Sequence, residues 1–258
     1  DGMCLFYDEL TQLWGYMDMT GDVVIEPQFM DAKAFSEGLA AVQFAQTGDN
    51  YEQDCGYIDK TGEMVLGPYS WTDVSDLGYF SEGLAPVHIA DFAAERDQFY
   101  GYINTQGEPV ITLQRGDRAI NYDETLRLSF GGYEPDEYSS RFSEGYAILI
   151  DDRGGRRYSA YALIDTAGNE VAHIAPAAPL YARVTSLVHD GLLTVEFTNS
   201  EGGSGGGIVA VDVNGNVVVE AEKSMRYNTW FDSGVARGSD SLVIDKQGNT
   251  VIPGSFFA

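Results

Sequence analysis

Basic residues are scarce in this 258-residue chain: 15 Lys and Arg stand against 40 Asp and Glu, a formal net charge of −25. A surface so acidic repels nucleic acid and anionic membrane, because both are bound by Lys and Arg that displace counterions. It favours solubility, and would suit a basic partner or loosely held cations. Cysteine is nearly absent. Cys4 and Cys55 are too few for a disulfide framework or for a zinc site with paired CxxC spacing. They are read either as one bridge between neighbouring strands or as small buried hydrophobes. No unbroken apolar run reaches the about 18 residues that a membrane-spanning helix needs. The start, Asp1-Gly2-Met3-Cys4, has no basic–apolar–small leader pattern and reads as what is left after an upstream signal or anchor is removed. Only three histidines occur, His88, His173 and His189. None neighbours a Ser or Cys in a recognisable nucleophile motif. Each lies in or beside an apolar segment and is expected to be partly buried. The glycine run Glu201-Gly202-Gly203-Ser204-Gly205-Gly206-Gly207 lacks the following Lys-Ser/Thr and helix of a phosphate loop, which excludes that mode of nucleotide binding.

What is abundant is repetition. Phe35-Ser36-Glu37-Gly38-Leu39-Ala40 recurs as Phe80-Ser81-Glu82-Gly83-Leu84-Ala85 and as Phe142-Ser143-Glu144-Gly145-Tyr146-Ala147. Weaker copies are His189-Asp190-Gly191-Leu192 and Phe231-Asp232-Ser233-Gly234-Val235-Ala236. A second string alternates with the first: Trp14-Gly15-Tyr16-Met17-Asp18, Gly56-Tyr57-Ile58-Asp59 and Gly101-Tyr102-Ile103-Asn104, eroding to Leu163-Ile164-Asp165, Val211-Asp212 and Val243-Ile244-Asp245. Three residues after the closing Asp or Asn of each copy stands a glycine, at 21, 62, 107, 168, 215 and 248. Periods of this length mark solenoids and propellers. The approximate units are 1–37, 38–82, 83–144, 145–190, 191–233 and 234–258, within one repeat domain over 1–258.

Each unit reads as a β-meander. Leu39 to Phe44 is a first strand and Gly56 to Asp59 a second. Asp59-Lys60-Thr61-Gly62 is a tight turn, with Asp at its first position and Gly supplying a positive φ. Glu63 to Leu66 returns as a third strand, which Gly67-Pro68 is expected to end, as Glu26-Pro27 does in the first unit. Before each Ser-Glu-Gly turn there is room for a short fourth strand. Tyr57 and Ile58 point opposite ways, as do Val23 and Val24, so the strands are apolar on both faces. A sheet that hides both faces must lie between neighbours. The expected fold is therefore all-β, about six three-to-four-stranded antiparallel meanders. A β-propeller-like ring is preferred and an open superhelical meander stack is the alternative.

The recurrent Trp14-Gly15-Tyr16-Met17-Asp18, Gly56-Tyr57-Ile58-Asp59, Val23-Val24-Ile25-Glu26-Pro27-Gln28-Phe29 and Phe-Ser-Glu-Gly-Leu-Ala strings resemble the WG-repeat family of bacterial proteins. The resemblance spans essentially the whole chain; it is strong over 14 to 108 and around 142 to 170, and weak beyond about 175. Only Trp14 keeps the family's tryptophan before Gly; Cys55 and Tyr100 replace it in the other good copies. The resemblance implies a β-rich array, commonly on secreted or surface-attached bacterial proteins, with no defined enzymatic activity and no catalytic residues to carry over.

Candidate chemistry is thin. Asp212-Val213-Asn214-Gly215-Asn216 starts like a calcium loop, but its Gly is misplaced and no Glu lies at the required distance, so it reads as a turn. Carboxylate pairs such as Asp151-Asp152 and Asp8-Glu9 arise by chance among so many acids. Arg115-Gly116-Asp117 matches a cell-adhesion tripeptide within the longest insertion, about residues 112 to 140, which also carries Tyr122, Tyr133 and Tyr138. Insertions in a repeat map to loops on one face, where binding concentrates. Trp71 and Trp230 lie outside the repeated strings and are candidates to stack on a sugar or peptide. Arg153, Arg156 and Arg157 around Gly154-Gly155 read as a solvated hairpin tip. The expected function is a non-catalytic binding or scaffolding module, secreted or at a cell surface, taking an unknown protein or glycan through those loops, with no cofactor, metal, nucleic acid or membrane insertion. The rival expectations are a glycan-active enzyme using clustered carboxylates and a structural spacer of a larger surface protein.

Overall fold

A computed structural model describes residues 1–44, 54–70, 77–89, 99–113, 128–129, 140–151, 160–175, 181–198, 207–220, 231–237 and 242–253. Among these there is no helix; every regular element is a strand. The chain falls into two compact units, one of Asp1–Thr112 with Gly132–Glu137, the other of Leu113–Gly131 with Tyr138–Ala258.

In the first unit, β1 (Met3–Asp8), β2 (Leu13–Asp18), β3 (Val23–Ala32), β4 (Ala40–Phe44), β5 (Asp54–Ile58) and β6 (Met64–Ser70) form one six-stranded antiparallel sheet in chain order. A three-stranded sheet follows, of β7 (Leu84–Ile89), β8 (Phe99–Asn104) and β9 (Pro109–Thr112). The second unit has three four-stranded sheets, also in chain order: β10 (Leu128–Ser129), β11 (Tyr146–Asp151), β12 (Tyr161–Asp165) and β13 (Glu170–Ile174); β14 (Tyr181–Val184), β15 (Leu192–Thr198), β16 (Gly207–Asp212) and β17 (Val217–Val219); β18 (Phe231–Asp232), β19 (Val235–Arg237), β20 (Val243–Asp245) and β21 (Thr250–Ile252). The short fourth strand is real: β10, β14 and β18 pair with the first strand of the next meander, and the far half of β3 does the same for β4.

Burial on both faces is borne out for the first two strands of a meander, and it holds successive meanders together. Ala40, Val42 and Ile58 join a core with Tyr16, Ile25, Phe29 and Phe35 of the preceding repeat. Their alternates Ala41, Cys55 and Tyr57 join a second core with Phe80, Val87, Ile89 and Ile103 of the following one. In the second unit Leu193, Val195, Val209 and Val211 face Ile148, Leu163 and Ile174, while Leu192, Ile208 and Ala210 face Phe231, Ala236 and Ile244. The period-two alternation of a strand thus sends successive side chains into two different cores. Meander packs on meander, as both expected architectures require.

The third strands depart from expectation in two ways. Val23 and Val24 do not point opposite ways; both are about half exposed, and the buried residue is Ile25. The cause is a β-bulge. Met17 pairs with Val23 and Tyr16 with Ile25, so Val24 is an extra residue that shifts the side-chain alternation by one. Nor do the prolines end the strand: β3 runs through Pro27 and β6 through Pro68, at second irregularities opposite Gly15 and Gly56. Strand irregularities are where Pro is tolerated within a sheet.

Those bends explain the glycine of the Trp-Gly or Gly-Tyr string. A Cβ built on Gly15 would lie 2.7 Å from the Ile25 carbonyl oxygen; on Gly56, 2.5 Å from that of Leu66; on Gly101, 1.9 Å from that of Ile111. The third strand presses its backbone onto the second where only glycine leaves room. In the fourth repeat Ala162 takes this place, and β13 pairs regularly there, Ala162 opposite His173 and Leu163 opposite Ala172. Gly101→Ala should therefore lower stability by about 1–3 kcal/mol, whereas Ala162→Gly should lower it by no more than about 1 kcal/mol. Urea unfolding of the two variants beside the parent chain checks the contrast.

Candidate functional site

The acids that recur in every repeat are candidates for chemistry, so their surroundings decide a great deal. The first set closes the hairpin between second and third strands. Asp59 Oδ1 accepts the N–H groups of Thr61 at 2.8 Å and Glu63 at 3.2 Å, and the Thr61 hydroxyl at 2.6 Å. Asp18, Asp165, Asp212 and Asp245 bond the same way to residues two and four ahead. Asn104 does so with its amide oxygen. The calcium-like string around Asp212 is thus a hairpin turn, its carboxylate taken by Asn214 and Asn216.

The second set is the acid of the Ser-Glu-Gly turn. Ser36 and Leu39 exchange both backbone hydrogen bonds, which makes Glu37-Gly38 a two-residue hairpin loop with φ of 52° and 83°. Glu82, Glu144, Asp190 and Ser233 repeat the positive φ. A left-handed non-glycine residue carries a strain of about 1–2 kcal/mol. It also turns two successive N–H groups outward as a nest for an anion. Glu37 fills the next nest, accepting from the N–H groups of Glu82 at 2.7 Å and Gly83 at 2.9 Å. Glu144 accepts from Asp190 and Gly191, both at 2.7 Å. Asp190 accepts from Gly234 N–H at 2.6 Å, and Asp1 from Gly38 N–H at 2.7 Å. Lys246 and Lys60 donate to the backbone oxygens of those two aspartates, each at 2.6 Å. Ser36 donates to the Phe80 carbonyl at 2.6 Å and Ser143 to that of Val188 at 2.7 Å. Tyr16 and Tyr57 are buried and donate to the carbonyls of Lys33 and Gly78. The recurring Asp, Glu, Ser and these two Tyr side chains are therefore bonded within the protein.

Ionisation follows this bonding. Hydrogen bonds from Thr20, Thr61 and Asn169 side chains, joined by backbone N–H groups, hold the carboxyls of Asp18, Asp59 and Asp165 below their ordinary value. For Asp212 burial pushes upward, but the hydrogen bonds from Asn216 and Asn214 outweigh it. These shifts run opposite to what a general acid at neutral pH needs. Burial pushes the phenols of Tyr57 and Tyr102 well up, and that of Tyr69 to about 12.

Among the described residues two acids are buried, Asp151 and Glu196, and the first has a histidine partner. Asp151, 2% exposed at the end of β11, meets His173 Nε2 at 2.7 Å across β12. His173 is 48% exposed, which corrects the expectation that all three histidines are partly buried; its place on the outward side of β13 leaves it beside solvent. His88 does keep to expectation, half-buried with its ring 5.7 Å from that of Tyr100. No group of three or more His, Cys, Asp or Glu among the described residues is placed to hold a metal. Cys4 is exposed, its Sγ 3.7 Å from Met19 Sδ, and Cys55 is buried; the two form no bridge.

Among what each repeat leaves to solvent is one recurring aliphatic side chain. The bulge described at Val24 recurs at Val65, Val110, Val171, Val218 and Val251, the extra residue being valine every time. Val24, Val65, Val110, Val171 and Val251 are 47, 46, 45, 41 and 53% exposed, and Val218 is half-buried. Sequence reading passed over this valine, taking it as half of an ordinary alternation. The signal that would have found it is its fixed place, six residues after the turn Asp or Asn in all six copies.

The five aromatics singled out from sequence, Trp71, Trp230, Tyr122, Tyr133 and Tyr138, all lie outside the described residues, as do Arg115-Gly116-Asp117, Arg153, Arg156 and Arg157.

The family model of the WG containing repeat matches residues 14–45, 56–89 and 100–114. No curated protein matches the chain. Among solved structures it resembles BamB from Moraxella catarrhalis at 11% identity, covering 86% of this chain and 62% of that one, with a TM-score of 0.39. It also resembles a protein of unknown function from Bacteroides caccae at 12% identity, covering 84% and 77%, with a TM-score of 0.33. The chain thus spans less than two thirds of the length of that BamB.

Two outcomes follow from the acids. Glu144→Ala should lower stability by about 1 kcal/mol, with Glu144→Gln in between because it keeps an acceptor but no charge; urea midpoints check this. A carboxyl whose folded pKa lies below its unfolded value of about 3.9 stabilises the fold above that pH, and the contribution is lost as pH falls through the folded pKa. Replacing Asp18, Asp59 and Asp165 together by Asn, which Asn104 shows to fit the turn, should leave a chain that folds at pH 7 and loses less stability than the parent as the pH drops from about 5 to about 3.

Proposed function

We propose that this chain, a WG-repeat protein by its residues 14–114, is a non-catalytic binding module whose partner is a protein and which works outside the cell or at its surface. The observation that carries this reading is the division of labour inside a repeat. The recurring polar groups bond to the protein itself, and the valine at one fixed place is left half exposed in five of the six repeats. Isolated exposed apolar residues are ordinary, but a periodic set marks an interaction surface. Sugars are gripped chiefly by hydrogen-bonding groups and flat aromatic faces, so rows of valine favour a protein over a glycan. An acidic exterior of net charge −25 directs the choice toward partners that are not themselves acidic. The family resemblance supports the extracellular or surface setting.

The rival with a specific observation behind it is a glycan-active enzyme built on buried Asp151 and its partner His173. A panel of nitrophenyl glycosides tests it. The expected result is no turnover above the buffer blank, with Asp151→Asn indistinguishable from the parent chain. Saturable hydrolysis abolished by Asp151→Asn would overturn the non-catalytic reading.

A further inference from the structure

The half-exposed valines of the first unit form a row. A Cβ built on Gly62, in the hairpin leading to Val65, would lie 3.3 Å from the Ile25 side chain, next to Val24. One built on Gly107, leading to Val110, would lie 3.1 Å from Leu66, next to Val65. Each hairpin thus rests on the third strand of the preceding repeat, so Val24, Val65 and Val110 succeed one another along the stacked hairpins. Threonine has the same shape and equal fitness for a strand, yet valine stands at the bulge in every repeat.

The flanks of the row say what covers it. Two residues before the valine, where the third strand begins, stand Asp22, Glu63 and Glu108 in the first unit, all exposed. The same place in the second unit holds Asn169, Asn216 and Asn249, whose amides donate to the turn Asp at 3.0, 3.0 and 2.9 Å. Asn is thus the residue that suits the hairpin. In the first unit Asp22 accepts from the Thr20 hydroxyl at 3.2 Å and Glu108 from the Asn104 amide at 3.0 Å, while Glu63 stands as a second carboxylate beside Asp59, against local repulsion. We infer that the row Val24–Val65–Val110, edged by Asp22, Glu63 and Glu108, is the docking surface for an extended cationic segment of a partner protein, with an apolar residue at every third position and Lys or Arg between. A polyproline II chain rises about 3.1 Å per residue and repeats its face every three residues, close to the about 10 Å at which β-layers pack on one another. Aliphatic contacts set the register, and the acids select the charge. This inference rests on the binding reading above and adds the surface and the chemistry of the partner.

Fluorescence anisotropy on the whole chain tests it, using a labelled twelve-residue Val-Pro-Lys repeat, the same peptide with Ser for Lys, and an oligolysine of equal charge. The Val-Pro-Lys peptide should bind saturably and weaken as salt rises. Val65→Ser with Val110→Ser should weaken it at least fivefold. Val65→Thr with Val110→Thr, which keeps shape and strand preference, should do the same if the serine pair unfolds the chain. Glu63→Gln with Glu108→Gln should also weaken it. Val251→Ser, in a repeat that carries Asn249 in place of the acid, should change nothing. Oligolysine binding as tightly as the repeat peptide, or affinity untouched by the first-unit valine pairs, would reduce the surface to nonspecific charge and overturn the inference. Preference for the uncharged peptide, or no binding by any of the three, would also overturn it. None of these results bears on glycoside hydrolysis, so the non-catalytic reading stands or falls separately.

Discussion

A carboxylate seated in the two N–H groups of the next hairpin loop sets the geometry on which everything else here depends. Backbone N–H groups at a tight left-handed turn have no partner within the turn, and they point away from it. Filling them from the preceding repeat ties two meanders at one point of known height and register. That explains why Glu or Asp occupies a place where glycine or asparagine would be less strained. The strain is offset by charge-assisted hydrogen bonds to a neighbour. Ser36 and Ser143 add a second bond between the same turns, and Asp1 and Asp190 each add a lysine from the adjacent hairpin. With the turns locked, the apolar alternates of β4, β5, β15 and β16 can be shared between two cores.

A second constraint shapes the outer strand. The carbonyl of Ile25, Leu66 or Ile111 lies where a side chain on Gly15, Gly56 or Gly101 would stand. Where the glycine becomes Ala162, Val209 or Leu242, the motif of the family is gone although the meander persists. The family match accordingly stops at residue 114. The bulge survives the loss, because it depends on the turn and not on the glycine. It keeps an aliphatic side chain exposed in five of the six repeats, Val218 of the fifth packing against its core instead. The stack and the exposed surface therefore draw on different residues: the polar motif builds the stack, and the residue that seemed ordinary faces outward.

The sequence by itself determined the repeat, the all-β class, the Asp-led hairpins and the shared cores, because each rests on local rules. A turn needs its Asp and its positive-φ glycine, and a strand alternates every two residues. The same local rules misplaced Val24, since a bulge inserts one residue without any mark in the alternation, and they stopped β3 and β6 at Pro27 and Pro68, which the bends absorb. Only the tertiary structure decided that Glu37 reaches Glu82 and Gly83, that Asp151 meets His173, and that Val24, Val65 and Val110 succeed one another along stacked hairpins. Those pairings join residues about 20 to 45 positions apart through sheet packing, and no local preference of the chain encodes which side chain a neighbouring repeat will present.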